Sequence, residues 1–234
     1  MELRPVNQLR IIPIVAFVTV NVMSCAQFAI GSIWINELHY DNIGGDVGEF
    51  VEVVVGPDMS GVNLSDIALT LYNGSNGSVY DTHTLDTFMT GSLDNGFQFF
   101  SISIPGIQNG APDGLALDLS GTLIEFISYE GSFTGVGGIA AGVTSTDIGV
   151  AESSATPIDF SLGLTGGPGS MASDFMWVGP MSGSRGAPNP GQSFVQSGGA
   201  VPEPGSASIW VIVVCSLFIA LRKRIVSGVR AGNC

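Results

Sequence analysis

The sequence predicts an all-β sandwich held between two apolar ends. Three observations carry this. Short runs rich in β-branched and aromatic residues recur at spacings near ten residues between 32 and 129. Turn clusters built on Asn-Gly, Asp-Gly and Pro-Asp-Gly separate them. No long amphipathic helical period appears between Ser32 and Gly199. The 33 Gly and 12 Pro of the 234 residues suit a turn-rich sheet protein and fall short of an unstructured Pro/Gly-rich chain.

The expected strands, in order, are 32–40, 49–56, 67–74, 96–104, 114–119 and 123–129. Between them lie DNIGG, GPDMSGVNLSD, NGSNGS, SLDNG and PGIQNGAPDG. Positive φ at Gly or Asn, or a φ preset by Pro, is what tight antiparallel connections need. Alternation assigns faces. In the second strand Phe50 is expected to point inward with Glu49 at an exposed edge. In the fourth, Gln98, Phe100, Ile102 and Ile104 form the better core set, with Phe97 and Phe99 covering an edge. Asp81-Thr82-His83-Thr84 reads as a solvated strand.

Charge location narrows function. Residues 27–201 hold eighteen carboxylates and one cation, Arg185. A polyanion partner must have its counterions displaced by cations, so nucleic acid is excluded as a direct partner. Phosphate-cradling G-x-x-x-x-G-K loops are excluded too, because Lys223 is the only lysine. Cys25, Cys215 and Cys234 all lie in the end segments, which leaves the body with no disulfide, thiol nucleophile or Cys-ligated zinc.

Each end reads as an address. Residues 1–26 open with Arg4 and Arg10, continue through IIPIVAFVTVNV and reach Ser24-x-Ala26. A short basic region, an apolar stretch and small residues at the cleavage position describe a secretory signal peptide cut between Ala26 and Gln27. Val-Met-Ser-Cys offers a lipoprotein-like alternative with Cys25 acylated, which Met23 fits poorly. At the other end, 196–206 is a linker, 207–221 a nearly continuous apolar helix, and 222–234 a basic tail opening on Arg222, Lys223 and Arg224. Fifteen helical residues cover roughly 22 Å, short of the ~30 Å hydrocarbon core, so this transmembrane helix needs snorkelling flanks or a thinned bilayer. Cations after it place the tail in the cytoplasm and the acidic body outside.

Val201-Pro202-Glu203-Pro204, the apolar helix and the Arg-rich cluster together resemble the PEP-CTERM sorting signal of bacteria that make extracellular polysaccharide. The resemblance implies recognition by an exosortase, a membrane protease with a Cys nucleophile, and release of the body to the cell surface or extracellular matrix. The tail from Ile225 to Cys234 is longer than usual for that signal. The body in turn resembles the lamin tail domain, an immunoglobulin-like β-sandwich, over 32–195. Ile35-Asn36-Glu37, Glu49-Phe50-Val51-Glu52-Val53, Val62-Asn63-Leu64-Ser65-Asp66 and Gly186-Ala187-Pro188-Asn189-Pro190-Gly191-Gln192 carry this likeness. Arg185 and Asp66 depart from the Pro and Gly usual at those places. The likeness implies structural roles for Asn36, Glu37 and Glu52.

Candidate chemistry rests on the acids. Asn36, Glu37, Asp41, Asn42, Asp46, Glu49 and Glu52 fall within seventeen residues. Hard oxygen ligands at this density suit calcium, with Glu37, Asp41, Asp46 and Glu49 as candidate ligands, although the EF-hand pattern fails at Asp41-Asn42-Ile43-Gly44. Solvated loop acids are the competing reading. His39 and His83 are the only histidines, and without a G-x-S-x-G elbow no hydrolase triad is supported. Phe175, Trp177 and Trp34 could line a sugar-binding face, though burial in the core is the commoner fate of Trp. The sequence therefore predicts an exported, non-enzymatic surface or matrix protein. Its partners would be an exosortase, the membrane through its helix, and extracellular polysaccharide. The alternative is a secreted divalent-metal-dependent hydrolase, or an accessory module of a secreted nuclease.

Overall fold

The computed structural model describes residues 32–196. The expected signal peptide, the VPEP motif, the apolar helix and the basic cluster lie outside the described residues. Among the described residues no helix is long and apolar enough to cross a membrane.

Among the described residues twelve strands form two sheets. They are β1 (Ile33–His39), β2 (Phe50–Val55), β3 (Ile67–Asn73), β4 (Ser78–Thr84), β5 (Met89–Asp94), β6 (Phe97–Ser103), β7 (Asp113–Leu119), β8 (Thr122–Tyr129), β9 (Thr146–Asp147), β10 (Phe160–Gly169), β11 (Met176–Ser182) and β12 (Gln192–Phe194). One sheet runs β11-β10-β1-β2-β6-β5, with β12 added in parallel on β10, and the other runs β4-β3-β7-β8-β9. The described residues form an all-β sandwich, as their pattern predicts.

The main core lies between the sheets. Val51, Val53 and Val55 of β2 meet Leu69 and Leu71 of β3 and Leu115 and Leu117 of β7 there, with Phe100 and Ile104 joining from β6 and its end. Alternation along β2 therefore points its valines inward and turns Phe50, Glu52 and Val54 to the outer face. This corrects the inward placement of Phe50.

β1 changes phase along its length. Ile33 and Ile35 enter the core, and so do Leu38 and Tyr40, because a bulge falls between Ile35 and Glu37 in the pairing with β2. Strict alternation would have driven the Glu37 carboxylate into the apolar core. The extra residue turns Asn36 and Glu37 outward together.

The outer face of the larger sheet carries a second, smaller core of Trp34, Val54, Phe97, Phe99, Leu164, Phe175 and Phe194. Phe97 and Phe99 are fully buried here, and β6 lies between β2 and β5, so they cover an interior strand and not an edge. Phe194 on β12 is the lid: its ring lies 4.9 Å from Phe97, 5.3 Å from Phe175 and 6.3 Å from the Trp34 ring on which it stacks. Aromatic stacks of this kind add to the free energy of the area that they bury.

The two ends of the described chain emerge at one pole. The Ser32 amide donates to Asp58, its carbonyl accepts from Gly56, and Gln196 lies against Gly96 beside Pro57. β1 runs away from this pole, so the β1–β2 loop and its acids lie at the opposite one.

Candidate functional site

A closing segment, residues 183–194, crosses the outer face of β1 and β2 and is fastened there by buried polar groups. Glu37 accepts from Ser161 Oγ at 2.5 Å and from the Ser184 amide at 2.8 Å. Glu52 accepts from Asn36 Nδ2 at 3.0 Å and from the Gly186 amide. Asn189 Nδ2 donates to the carbonyls of Asn36 and Leu164, and Gln192 Nε2 donates to Asn36 Oδ1 at 2.7 Å. The Trp34 indole also donates to Asn36 Oδ1, which ties the network to the aromatic lid. The three motifs I-N-E, E-F-V-E and G-A-P-N-P-G-Q thus meet at one place.

The electrostatics of this clasp follow from burial. Glu37 and Glu52 are both wholly buried and stand opposite each other on neighbouring strands. Desolvation raises Glu37 above the usual carboxylate range, although Ser161, Ser184 and Arg185 pull against it. Glu52 is pushed up to about 8 by burial and then by the charge of Glu37, against the pull of Asn36, Gly186 and Arg185. Arg185 sits over the Phe50 ring at 5.1 Å and donates to Ser101 and Ser103. It acts on the two acids through its field and forms no ion pair with them.

The loop acids behave differently. Glu152, after β9, is the hub of the far pole: it accepts from the amides of Tyr40 and Asp41 and meets His39 Nδ1 at 2.9 Å. Burial lowers the affinity of His39 for its proton, but the bond and charge of Glu152, helped by the Val47 carbonyl and Glu49, outweigh it and raise the pKa. Asn42 is buried and shapes the loop, taking the Val47 amide on Oδ1 and donating to the Ile43 and Gly45 carbonyls. Asp41 is raised by burial and then by neighbouring Asp46.

Glu49 lies buried with Oε2 on the Gly106 amide at 2.7 Å, which corrects its expected placement at an exposed edge. Its other oxygen has no hydrogen-bond partner. Of the expected calcium ligands, Asp41 and Asp46 lie together, Glu49 is turned to the 104–107 loop, and Glu37 belongs to the clasp. Among the described residues no group of three or more His, Cys, Asp or Glu side chains converges as a metal site.

A third acid, Glu125, stands in the floor of a cleft of about 580 Å³ lined also by Asp147, Leu164, Phe175, Met176 and Trp177. Its Oε2 accepts the Ile35 amide at 2.9 Å, beside the bulge of β1. Burial pushes its pKa up to about 7, with the Ile35 amide opposing. His83 lies on the solvated edge strand β4 with Asp81 at 2.9 Å. The raised Glu125 carboxyl can hold or release a proton near neutral pH.

Sequence reasoning missed Glu152, because it lies far from the acid-rich stretch. Glu125 is marked in the sequence as a lone acid in the apolar run LIEFISY. Comparison of the chain with protein-family models, with curated proteins and with solved structures finds no match.

Proposed function

We propose that this chain is an exported, non-enzymatic interaction or structural module of the cell surface or extracellular matrix, delivered by a cleaved signal peptide and a PEP-CTERM-type C-terminal signal. The body is read as a lamin-tail-like, immunoglobulin-like sandwich. The observation that carries the non-enzymatic reading is how the buried acids are used. Glu37, Glu52 and Glu152 accept hydrogen bonds that hold the closing segment and the far loop. They are spent on the fold, as is His39, which bridges Glu152 and the Val47 carbonyl. The absence of cations from the body, Arg185 apart, favours partners other than polyanions and suits an acidic, soluble surface facing the outside.

The VPEP motif, helix and basic triplet, in that order, support processing by an exosortase-type protease. The test of the enzymatic alternative is activity of the full-length protein against polysaccharide and DNA, compared with Glu49→Gln and Glu52→Gln. Turnover in the parent that the variants lose overturns the reading. No turnover in any of the three sustains it.

A further inference from the structure

We propose that the far pole of the sandwich holds a calcium site in the pocket between the β3–β4 turn and the loop leading into β7, with Asp113 as its charged ligand. The pocket, about 310 Å³, is lined by Asn73, Ser75, Gln108, Asn109, Gly110 and Asp113 among others. Its side chains offer carboxylate, carboxamide and hydroxyl oxygens. A hard cation selects that donor set.

The observation that points to a ligand is the Asp113 carboxylate itself. The residue is 2% exposed, its Oδ1 accepts the Gly74 amide at 2.9 Å, and its Oδ2 is buried without a hydrogen-bond partner. A buried carboxylate oxygen left unmatched is costly, and native proteins rarely tolerate one without a reason. Burial raises the Asp113 pKa; the Gly74 bond and the nearby Gly110 amide, which makes no hydrogen bond to Oδ2, offset part of this, and Glu130 adds to it. The body's one cation, Arg185, is engaged at Ser101, Ser103 and Phe50. A divalent ion at Oδ2 would supply the missing positive charge.

Gly110 marks where the ion would enter. A methyl group built on it would stand 3.4 Å from Asp113 Oδ2 and meet nothing else within 4 Å. Asn109 links the pocket to the acidic loop by donating to Asp46 Oδ2 at 3.0 Å, so occupancy of the pocket would order the β1–β2 loop as well. One full carboxylate with neutral oxygens predicts weak binding, in the roughly 10⁻⁴–10⁻³ M range of extracellular calcium modules. Neutral, loop-borne oxygens also favour calcium over the more demanding magnesium.

The test is calcium titration of the full-length protein in detergent, followed by calorimetry and by thermal melting, against Asp113→Asn, Gly110→Ala and Asp46→Asn. The parent is expected to bind one calcium and to melt roughly 3–8 °C higher at about 10 mM calcium than in chelator. Asp113→Asn should lose that response while melting no lower than the parent in chelator, because it keeps the Gly74 bond and removes a desolvated charge. Gly110→Ala leaves every ligand in place and covers Oδ2, so it too should lose the response, and it decides the matter if Asp113→Asn does not fold. Asp46→Asn should retain it. The proposal is overturned by a parent that ignores calcium, by an equal response in Gly110→Ala, or by a response lost only in Asp46→Asn.

Discussion

Glu37 and Glu52 face each other across the β1–β2 ladder as direct strand partners, both sealed from solvent, and each holds a different turn of the same closing segment. Two carboxyls placed so close in a dry site are held by donors and not by a cation. Removing either carboxyl therefore strands buried donors. Glu52→Ala leaves Asn36 Nδ2 and the Gly186 amide without their acceptor and should lower stability by about 2–4 kcal/mol. Glu52→Gln, which keeps one acceptor and discards the charge, should lose less at pH 8. Chemical denaturation of the variants checks both, and a loss under ~0.5 kcal/mol for the alanine variant contradicts the role given to the clasp.

The same burial sets a pH dependence. Every carboxyl and histidine with a resolved shift is raised: Glu37, Asp41, Asp113 and Asp118 in direction, Glu125 to about 7, Glu52 to about 8, and His39 above its ordinary value. The native state thus keeps protons that the unfolded chain has released. Stability from this source is complete below the unfolded carboxylate values near 4.5 and is lost as pH rises through the folded ones, up to about 8. The melting temperature should fall between pH 5 and pH 8, and self-repulsion among eighteen carboxylates acts in the same direction. A melting temperature that rises over this interval contradicts the account.

Arg185 tempers that effect. Its guanidinium lowers both Glu37 and Glu52 through space. Arg185→Met, which keeps a long apolar stem over Phe50, should steepen the fall in stability between pH 6 and 8 while changing stability at pH 5 much less. Parallel melting curves for parent and variant across that range would show that the field of Arg185 does not reach the pair.

The Gly-rich β10 explains why part of the fold was hidden in the sequence. FSLGLTGGPG is not among the expected strands, yet it is an interior strand beside β1. A side chain at Gly163 would stand 2.6 Å from the Met181 methyl and 2.7 Å from Asn189 Nδ2, so the glycine is dictated by the segment packed over it, which local pattern cannot see. β11 and the three-residue β12 escaped for the same reason: they exist through their partners. The runs behind β1, β2, β3, β6, β7 and β8 were legible because each is apolar and bounded by strong turns. The acids were legible only as a cluster in sequence. The bulge at Asn36 and the hairpin then sent Glu37 and Glu52 to the clasp and left Asp41 and Asp46 in the loop.

Two substitutions probe that close packing. Gly163→Ala should cost roughly 1–3 kcal/mol by displacing Asn189 and Met181. Phe194→Ala, which removes the lid over Trp34, Phe97 and Phe175, should cost about 3–5 kcal/mol and change the near-ultraviolet signal of the buried Trp34. Denaturation midpoints check both. An unchanged midpoint for Phe194→Ala would mean that the outer aromatic cluster contributes little to the fold.

Export of the sandwich with trimmed ends is tested most directly by the intact mass of the protein recovered from cell envelope and medium. The account predicts a species that begins at Gln27 and ends near Pro202, without the apolar helix and basic tail. A polypeptide recovered from the cytosol with both Met1 and Cys234 in place, at the full 24.2 kDa, contradicts it.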